Sequence, residues 1–140
     1  MAKDKVGYLI GSLAIGSVDA VLLVTPEYNR SIPGGLKNAI DWASRPYGQN
    51  SFTRKPSAII GTSPGAIGTA VAQQSLRSVL AFCNSPQMNA PEAYIQFKPD
   101  LIDDDGNVSV ESAEKFLQSE KLGIGYRAKI KARSKESSKW

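Results

Sequence analysis

The sequence predicts an α/β domain with a mostly parallel sheet, and three observations lead to that prediction. Short aliphatic runs alternate along the chain with segments of helical periodicity. The run at residues 18–24 is almost continuously aliphatic, which is typical of a strand covered on both faces. The chain has 140 residues, of which 41% are hydrophobic, so it is long enough for one domain with its own core.

Four strands are predicted from these runs. The last alternates between apolar and polar residues, which suits an edge of the sheet. The predicted strands cover residues 6–10, 18–24, 57–61 and 93–97.

One junction between these strands does not fit a parallel sheet. Residues 11–17 are too few for the helical crossover that parallel neighbours need. The first strand therefore runs antiparallel to the second, or pairs elsewhere or with another chain, or a segment is missing here.

Three helices are predicted. In the first, Leu36, Ala39, Ile40 and Ala43 recur at helical spacing, and Ser31 is a candidate N-cap. The second carries two adjacent apolar stripes, so it is either deeply buried or also packed on another subunit. The predicted helices cover residues 35–44, 70–82 and 109–117.

Composition excludes several classes of chemistry. The chain has no histidine, so Ser-His-Asp and Cys-His sites, histidine-ligated zinc and an imidazole pH switch are all excluded. A single cysteine, Cys83, rules out an internal disulfide framework and fits the reducing environment of the cytoplasm. Cys83 lies among apolar residues at a helix end and is expected in the core. No apolar run approaches the length of a spanning helix, and no signal peptide or metal site is expected.

The formal charge of +4 belongs to one end of the chain. Residues 1–118 contain 10 Lys and Arg against 11 Asp and Glu, whereas residues 119–140 contain 7 against 2. We therefore predict a near-neutral domain over residues 1–118 and a basic tail over residues 119–140. The tail is interpreted as a solvated extension rather than a nucleic-acid or membrane contact. The acidic turn at residues 103–107 lacks the spacing of a calcium loop.

Two loops carry the candidate chemistry, and each follows a predicted strand and precedes a helix. The first, residues 25–35, offers the carboxylate of Glu27, the ring of Tyr28 and the amide of Asn29. The second, residues 61–69, is rich in glycine and small residues, which let backbone N–H groups and a helix N-terminus approach an anion. Because open α/β sheets bind ligands at the carboxyl ends of their strands, these loops predict a shared site. A plain turn with a helix entry remains the alternative for the first loop.

The segments PEYNRSIPGGLKNAIDWASRP (residues 26–46) and GTSPGAIGT (residues 61–69) resemble the NADPH-dependent FMN reductase family of quinone, chromate and azo-compound reductases. The resemblance implies a flavodoxin-like three-layer fold with strand order 2-1-3-4-5. It also implies bound FMN, with the first loop lining the ring and ribityl chain and the second approaching the flavin. The residues so assigned are Pro26, Glu27, Tyr28, Asn29, Ser63, Pro64 and Gly65.

The chain departs from this family after its first strand. Gly11 and Ser12 begin a loop resembling the one that cradles the FMN phosphate, but the arginine, second serine and asparagine of that loop are absent. The resemblance therefore implies a shortened fold that lacks the first helix, the edge strand and the second helix. Such a loss would bare a sheet face and an edge, which favours association.

The resemblance implies a cytoplasmic, homo-oligomeric oxidoreductase, a dimer or tetramer. NADPH or NADH would reduce FMN, and the reduced flavin would pass electrons to a quinone or similar acceptor. No catalytic side chain is assigned, since the cofactor supplies the redox chemistry. The alternative is a shortened family member that no longer catalyses and acts as an oligomeric or interaction module.

Overall fold

The structure is a computed structural model that describes residues 13–99 and residue 101. Residues 13–16 are helical, and three strands and two further helices alternate from Val21 to Gln96. They are β1 (Val21–Thr25), α1 (Gly34–Ala43), β2 (Ser57–Ser63), α2 (Ala70–Phe82) and β3 (Tyr94–Gln96). The α/β prediction is confirmed. The predicted strand at 6–10, the acidic turn, the helix at 109–117 and the basic tail all lie outside the described residues.

The three strands form a parallel sheet in the order β1-β2-β3. Leu23 pairs with Ile59 and Thr25 with Gly61, while Gly61 also pairs with Tyr94 on the other side. This order agrees with the implied flavodoxin-like arrangement, in which the last three strands are neighbours in sequence order. Strand β3 lies at an edge of the described sheet, as its alternating pattern predicted.

The core lies on one face of this sheet. Leu23 of β1 and Ile59 of β2 pack in one cluster with Ile40 of α1 and with Leu76 and Leu80 of α2. Because Leu23 and Ile59 are register partners, both helices contribute to the same side of the sheet.

The opposite face of β1 corrects one expectation. Leu22 and Val24 are 52% and 68% exposed, so the prediction that this strand is covered on both faces is wrong. The physical reason is that α1 and α2 both pack on the Leu23 side. An exposed face is also what the implied loss of helices leads one to expect.

Helix α2 buries one of its two predicted stripes. Leu76, Leu80 and Cys83 are buried, whereas Val71 is 37% and Phe82 is 86% exposed. The prediction that both stripes are deeply buried is therefore wrong, because the helix packs on the sheet by a single face. Cys83 is in the core as expected.

The end of α2 has a recognised capping geometry. Asn84 has a φ of 56° and donates its N–H to Ala81 O at 3.0 Å, while Ser85 N–H donates to Leu80 O at 3.0 Å. These two bonds are those of a Schellman motif, in which asparagine tolerates the left-handed conformation that usually requires glycine.

Candidate functional site

Both candidate loops leave the sheet at its carboxyl edge. Strand β1 ends at Thr25, whose register partner is Gly61 in β2, and β2 ends two residues later at Ser63. Neighbouring parallel strands present their carboxyl ends side by side, where α/β sheets commonly bind ligands. The structure therefore brings the loops together as the sequence predicted.

The first loop contains a tight turn at residues 28–31. Tyr28 N–H donates to Ser31 O and Ser31 N–H donates to Tyr28 O, both at 2.9 Å. Asn29 and Arg30 have φ values of 51° and 63°. Two consecutive positive φ values indicate a type I′ turn. The turn holds the Tyr28 side chain 61% exposed at the edge of the sheet.

This turn corrects the expected start of α1. Ser31 was predicted to be its N-cap, but Ser31 is bonded within the turn, and Pro33 precedes the helix without a side-chain capping bond. The helix itself spans Gly34–Ala43, close to the predicted residues 35–44.

Glu27 joins the first loop to α2. Its Oε2 accepts hydrogen bonds from the Val71 and Ala72 N–H groups at 3.1 and 3.0 Å, and its Oε1 accepts one from Arg30 Nη1 at 3.2 Å. The Glu27 side chain is only 6% exposed, whereas that of Arg30 is 68% exposed. The carboxylate thus satisfies two N–H groups that a helix leaves unpaired in its first turn.

The carboxylate takes the place of a local cap. The residue at the N-cap position of α2 is Thr69, which makes no side-chain capping bond. A carboxylate at this end also interacts favourably with the helix dipole. The N-terminus of α2, which the sequence offered to an external anion, is occupied at Val71 and Ala72 by the protein's own carboxylate.

The second loop is held by close packing at its glycines. A Cβ added at Gly61 would lie 2.3 Å from Thr25 O, and one at Gly68 would lie 2.9 Å from the Tyr94 carbonyl carbon. Gly68 also has a φ of 57°. At Gly65, by contrast, an added Cβ meets no heavy atom within 4 Å. The loop is therefore tightly packed at both ends and open at its tip.

Strand β3 supports this loop from the other side. Phe97 N–H donates to Ser63 O at 2.9 Å, and Gln96 Nε2 donates to Pro64 O at 3.3 Å. The two carbonyls so engaged belong to residues that the family resemblance assigned to the flavin.

Beneath the loop lies Gln73, which is fully buried. Its Nε2 donates to Thr69 Oγ1 at 2.9 Å and to Ala93 O at 2.8 Å. Gln73 therefore connects α2, the end of the second loop and the chain entering β3.

The structure brings most of the expected site residues to one edge of the sheet. Pro26, Tyr28 and Asn29 are exposed in the first loop, and Pro64 and Gly65 are exposed in the second, with Ser63 half-buried beside them. Gly11 and Ser12 lie outside the described residues.

Sequence reasoning gave no role to three residues that organise this edge: Arg30, Gln73 and Gln96. A glycine inside a strand, such as Gly61, is a signal of close backbone approach that was present in the sequence. The long-range bonds of Gln73 and Gln96 have no such local signal.

Two titratable groups near these elements have shifted pKa values. Burial raises the pKa of the Cys83 thiol above its usual 9.0, although the hydrogen bond with Asn50 opposes the shift. Burial, and then the hydrogen bond that Tyr94 donates to Glu92 at 2.5 Å, raises the pKa of the Tyr94 phenol.

The fold and its paired loops define an α/β protein of the flavodoxin-like type. The sequence profile of the NADPH-dependent FMN reductase family matches residues 9–100, and the chain belongs to this family. Within the part of the chain that the structure describes, no helix has the length and apolar character needed to cross a membrane.

Named relatives agree with this membership. The chain is 56% identical over 105 residues to a 2-hydroxy-1,4-benzoquinone reductase from a Burkholderia species, an alignment covering 75% of this chain and 57% of that protein. It is 52% identical over 101 residues to a quinone reductase of Pseudomonas putida, covering 72% of this chain and 54% of the relative. The chain thus spans about half the length of the curated relatives it matches.

A solved structure gives the same result. The flavoenzyme FerB, an NAD(P)H:(acceptor) oxidoreductase from Paracoccus denitrificans, superimposes with a TM-score of 0.76 at 48% identity. The match covers 94% of this chain and 68% of FerB.

Proposed function

We propose that the protein is an FMN-dependent NAD(P)H oxidoreductase that reduces quinones or similar acceptors. The observation that carries the proposal is the pair of loops at one sheet edge, which have the sequences typical of the family. Relatives of the chain are named quinone reductases and an NAD(P)H:(acceptor) oxidoreductase. The net reaction converts NAD(P)H, a proton and a quinone into NAD(P)+ and a hydroquinone.

The residues at this edge fit a flavin in three respects. The Tyr28 side chain is exposed and offers a ring for stacking. The tip of the second loop is open around Gly65, so a flat ligand could approach its backbone closely. Pro26 and Asn29 are exposed beside Tyr28. When bound there, FMN would accept a hydride and pass electrons on, while the protein orients it and provides hydrogen bonds.

A binding experiment tests where the flavin lies. Purified protein is titrated with FMN and the quenching of flavin fluorescence is measured. Gly65→Leu fills the open tip and is expected to raise Kd at least about tenfold, a loss of ~1.4 kcal/mol. Gly16→Leu is the matched control, because Gly16 is equally open but precedes the amino end of β1. Equal effects of the two substitutions would contradict the proposed position.

A turnover experiment tests the activity itself. The wild-type protein is supplied with NADPH or NADH, excess FMN and 1,4-benzoquinone, and loss of absorbance at the nicotinamide band is recorded. We expect quinone-dependent oxidation above the rate of free FMN. A rate no higher than that of free FMN would refute the activity for this chain.

One observation favours a second candidate, an interaction module without catalysis. Leu22, Val24 and Phe82 are large apolar side chains that are each more than half exposed. Exposed apolar patches often mark association surfaces, so we also propose that the chain forms a homo-oligomer. Saturable FMN binding with turnover would argue against the purely non-catalytic role.

A cytoplasmic location is proposed on the ground that Cys83 is a free, buried thiol.

A further inference from the structure

We infer that Glu27 is a positioning residue that fixes the turn carrying Tyr28 and Asn29 relative to α2. The inference rests on the proposed function, because the turn matters for activity only if it forms one side of the proposed flavin site. The family resemblance assigned Glu27 to the lining of the flavin. The geometry points to a different use of its side chain.

The first support is the number and kind of its bonds. Both carboxylate oxygens are engaged, Oε2 by two backbone N–H groups of α2 and Oε1 by Arg30 of the same turn. Hydrogen bonds to a charged group are stronger than neutral ones. The Glu27 side chain is also nearly buried, so solvent competes little for the two bonds from Val71 and Ala72, whereas Arg30 is 68% exposed.

The second support is that the link is long-range. Glu27 lies 44 and 45 residues before its two backbone partners. The turn at residues 28–31 is closed by its own two hydrogen bonds, which fix its shape but not its place. The Glu27 carboxylate connects this preformed turn to the helix that begins where the second loop ends.

The third support is the absence of a local substitute at α2. Thr69, which occupies the N-cap position, makes no capping bond and instead accepts the hydrogen bond of Gln73. Without Glu27, the Val71 and Ala72 N–H groups would lose the acceptor that they share. The helix start and the turn are therefore coupled through one side chain.

The experiment compares Glu27→Ala and Glu27→Gln with the matched control Asp41→Asn. Asp41 is also a carboxylate paired with a cation, Lys37 at 2.7 Å, but it lies half-exposed on α1. Amide hydrogen exchange is followed by NMR in the flavin-free protein at Val71, Ala72 and the buried helix position Leu76. The Tyr28 and Asn29 amide shifts report the place of the turn.

In Glu27→Ala we expect exchange at Val71 and Ala72 to accelerate about tenfold or more, while Leu76 is unchanged. The Tyr28 and Asn29 shifts should move as well. Glu27→Gln keeps an oxygen that can accept both bonds, so exchange should rise only about threefold. Asp41→Asn should alter none of these readings. The inference would be overturned if Val71 and Ala72 exchanged in Glu27→Ala at the wild-type rate. It would also be overturned if the Tyr28 and Asn29 amide shifts did not move.

A second readout separates this inference from the proposed function. FMN and lumiflavin, which is the ring without ribityl chain and phosphate, are titrated into each variant. Both should bind about tenfold more weakly to Glu27→Ala and within about threefold of wild type to Glu27→Gln. Failure of the wild type to bind either flavin overturns the proposed function, and the exchange data then decide the role of Glu27 alone. Unchanged binding in a Glu27→Ala protein with fast exchange overturns the positioning role.

If amide exchange at Leu76 also becomes fast in Glu27→Ala, the helix itself has unfolded in that variant. The test then relies on Glu27→Gln. Faster exchange confined to Val71 and Ala72 in Glu27→Gln supports the inference. Loss that spreads to Leu76 in that variant as well would show that Glu27 stabilises the whole fold and does not position the turn, which overturns it.

Discussion

The two loops at the carboxyl edge of the sheet are held by different kinds of interaction. The first is fixed by hydrogen bonds, two within the turn at residues 28–31 and three to the Glu27 carboxylate. The second accepts two hydrogen bonds from β3, at Ser63 O and Pro64 O, and is also held by close contact at Gly61 and Gly68, where no side chain larger than hydrogen fits. The first loop therefore depends on specific polar groups, and the second depends in addition on the absence of side chains at two positions.

Substitutions should therefore act differently on the two loops. Overlap with backbone atoms cannot be relieved without moving the backbone, so the second loop should respond sharply to a carbon added at Gly61 or Gly68. Hydrogen bonds in the first loop can be exchanged in part for bonds with water, so its losses should be smaller and graded. Three substitutions test this contrast by the free energy of unfolding.

The largest effect is expected from Gly61→Ala. The added Cβ would lie 2.3 Å from Thr25 O and 2.4 Å from Thr69 Oγ1, and the first of these is backbone of the neighbouring strand. Separating β1 from β2 to relieve the overlap should lower the free energy of unfolding by about 3 kcal/mol. Urea denaturation followed by circular dichroism measures it. A loss below about 1 kcal/mol would mean that the loop is not held by packing.

The second substitution is Gly68→Ala, with Gly65→Ala as its control. At Gly68 the new Cβ would meet the Tyr94 carbonyl carbon at 2.9 Å, and the φ of 57° disfavours any side chain. We expect a loss of about 2 kcal/mol. Gly65 lies three residues away with open space around it, so Gly65→Ala should change stability by less than about 0.5 kcal/mol. Similar losses at the two positions would remove the distinction between the ends and the tip of the loop.

Sequence reasoning predicted the elements well because they follow local patterns. The aliphatic run of β2 and the stripe of Leu76, Leu80 and Cys83 on α2 depend only on neighbours along the chain. The predicted α2 boundaries, residues 70–82, coincide with those observed. The loops were recognised for the same reason, since each has a continuous and distinctive sequence.

What the sequence did not reveal depends on distant partners. The aliphatic character of β1 predicted two buried faces, but whether Leu22 and Val24 are covered depends on which side the helices pack. The family resemblance assigns Glu27 to the flavin, and no local feature of the sequence indicates that its carboxylate accepts hydrogen bonds from Val71 and Ala72. The type I′ turn was missed because Asn29 is followed by Arg30 and not by the glycine that usually marks such turns.

That turn provides the smallest of the three effects, through Arg30. Its φ of 63° is unfavourable for most residues and worst for a β-branched one. Arg30→Val should therefore lower the free energy of unfolding by about 1 kcal/mol. Arg30→Gly relieves the backbone but loses the bond to Glu27, and because Arg30 is largely exposed that ion pair is weak. The gain from relieving the backbone and the loss of the ion pair nearly cancel, so we expect the free energy of unfolding to change by no more than about 0.5 kcal/mol.

A control at Arg54 separates the backbone contribution from the ion pair. Arg54 is exposed and has a φ of 60°, but it does not lie in the turn beside Glu27. Arg54→Val should lose about as much as Arg30→Val, ~1 kcal/mol, if conformation dominates in both. A loss at Arg30→Val and Arg30→Gly alike, with none at Arg54→Val, would instead show that the guanidinium carries the effect. The ion pair between Arg30 and Glu27 would then stabilise the first loop more than an exposed ion pair normally does. The two loops would differ in the kind of interaction that holds them, but substitutions in either loop would cost similar free energies of unfolding.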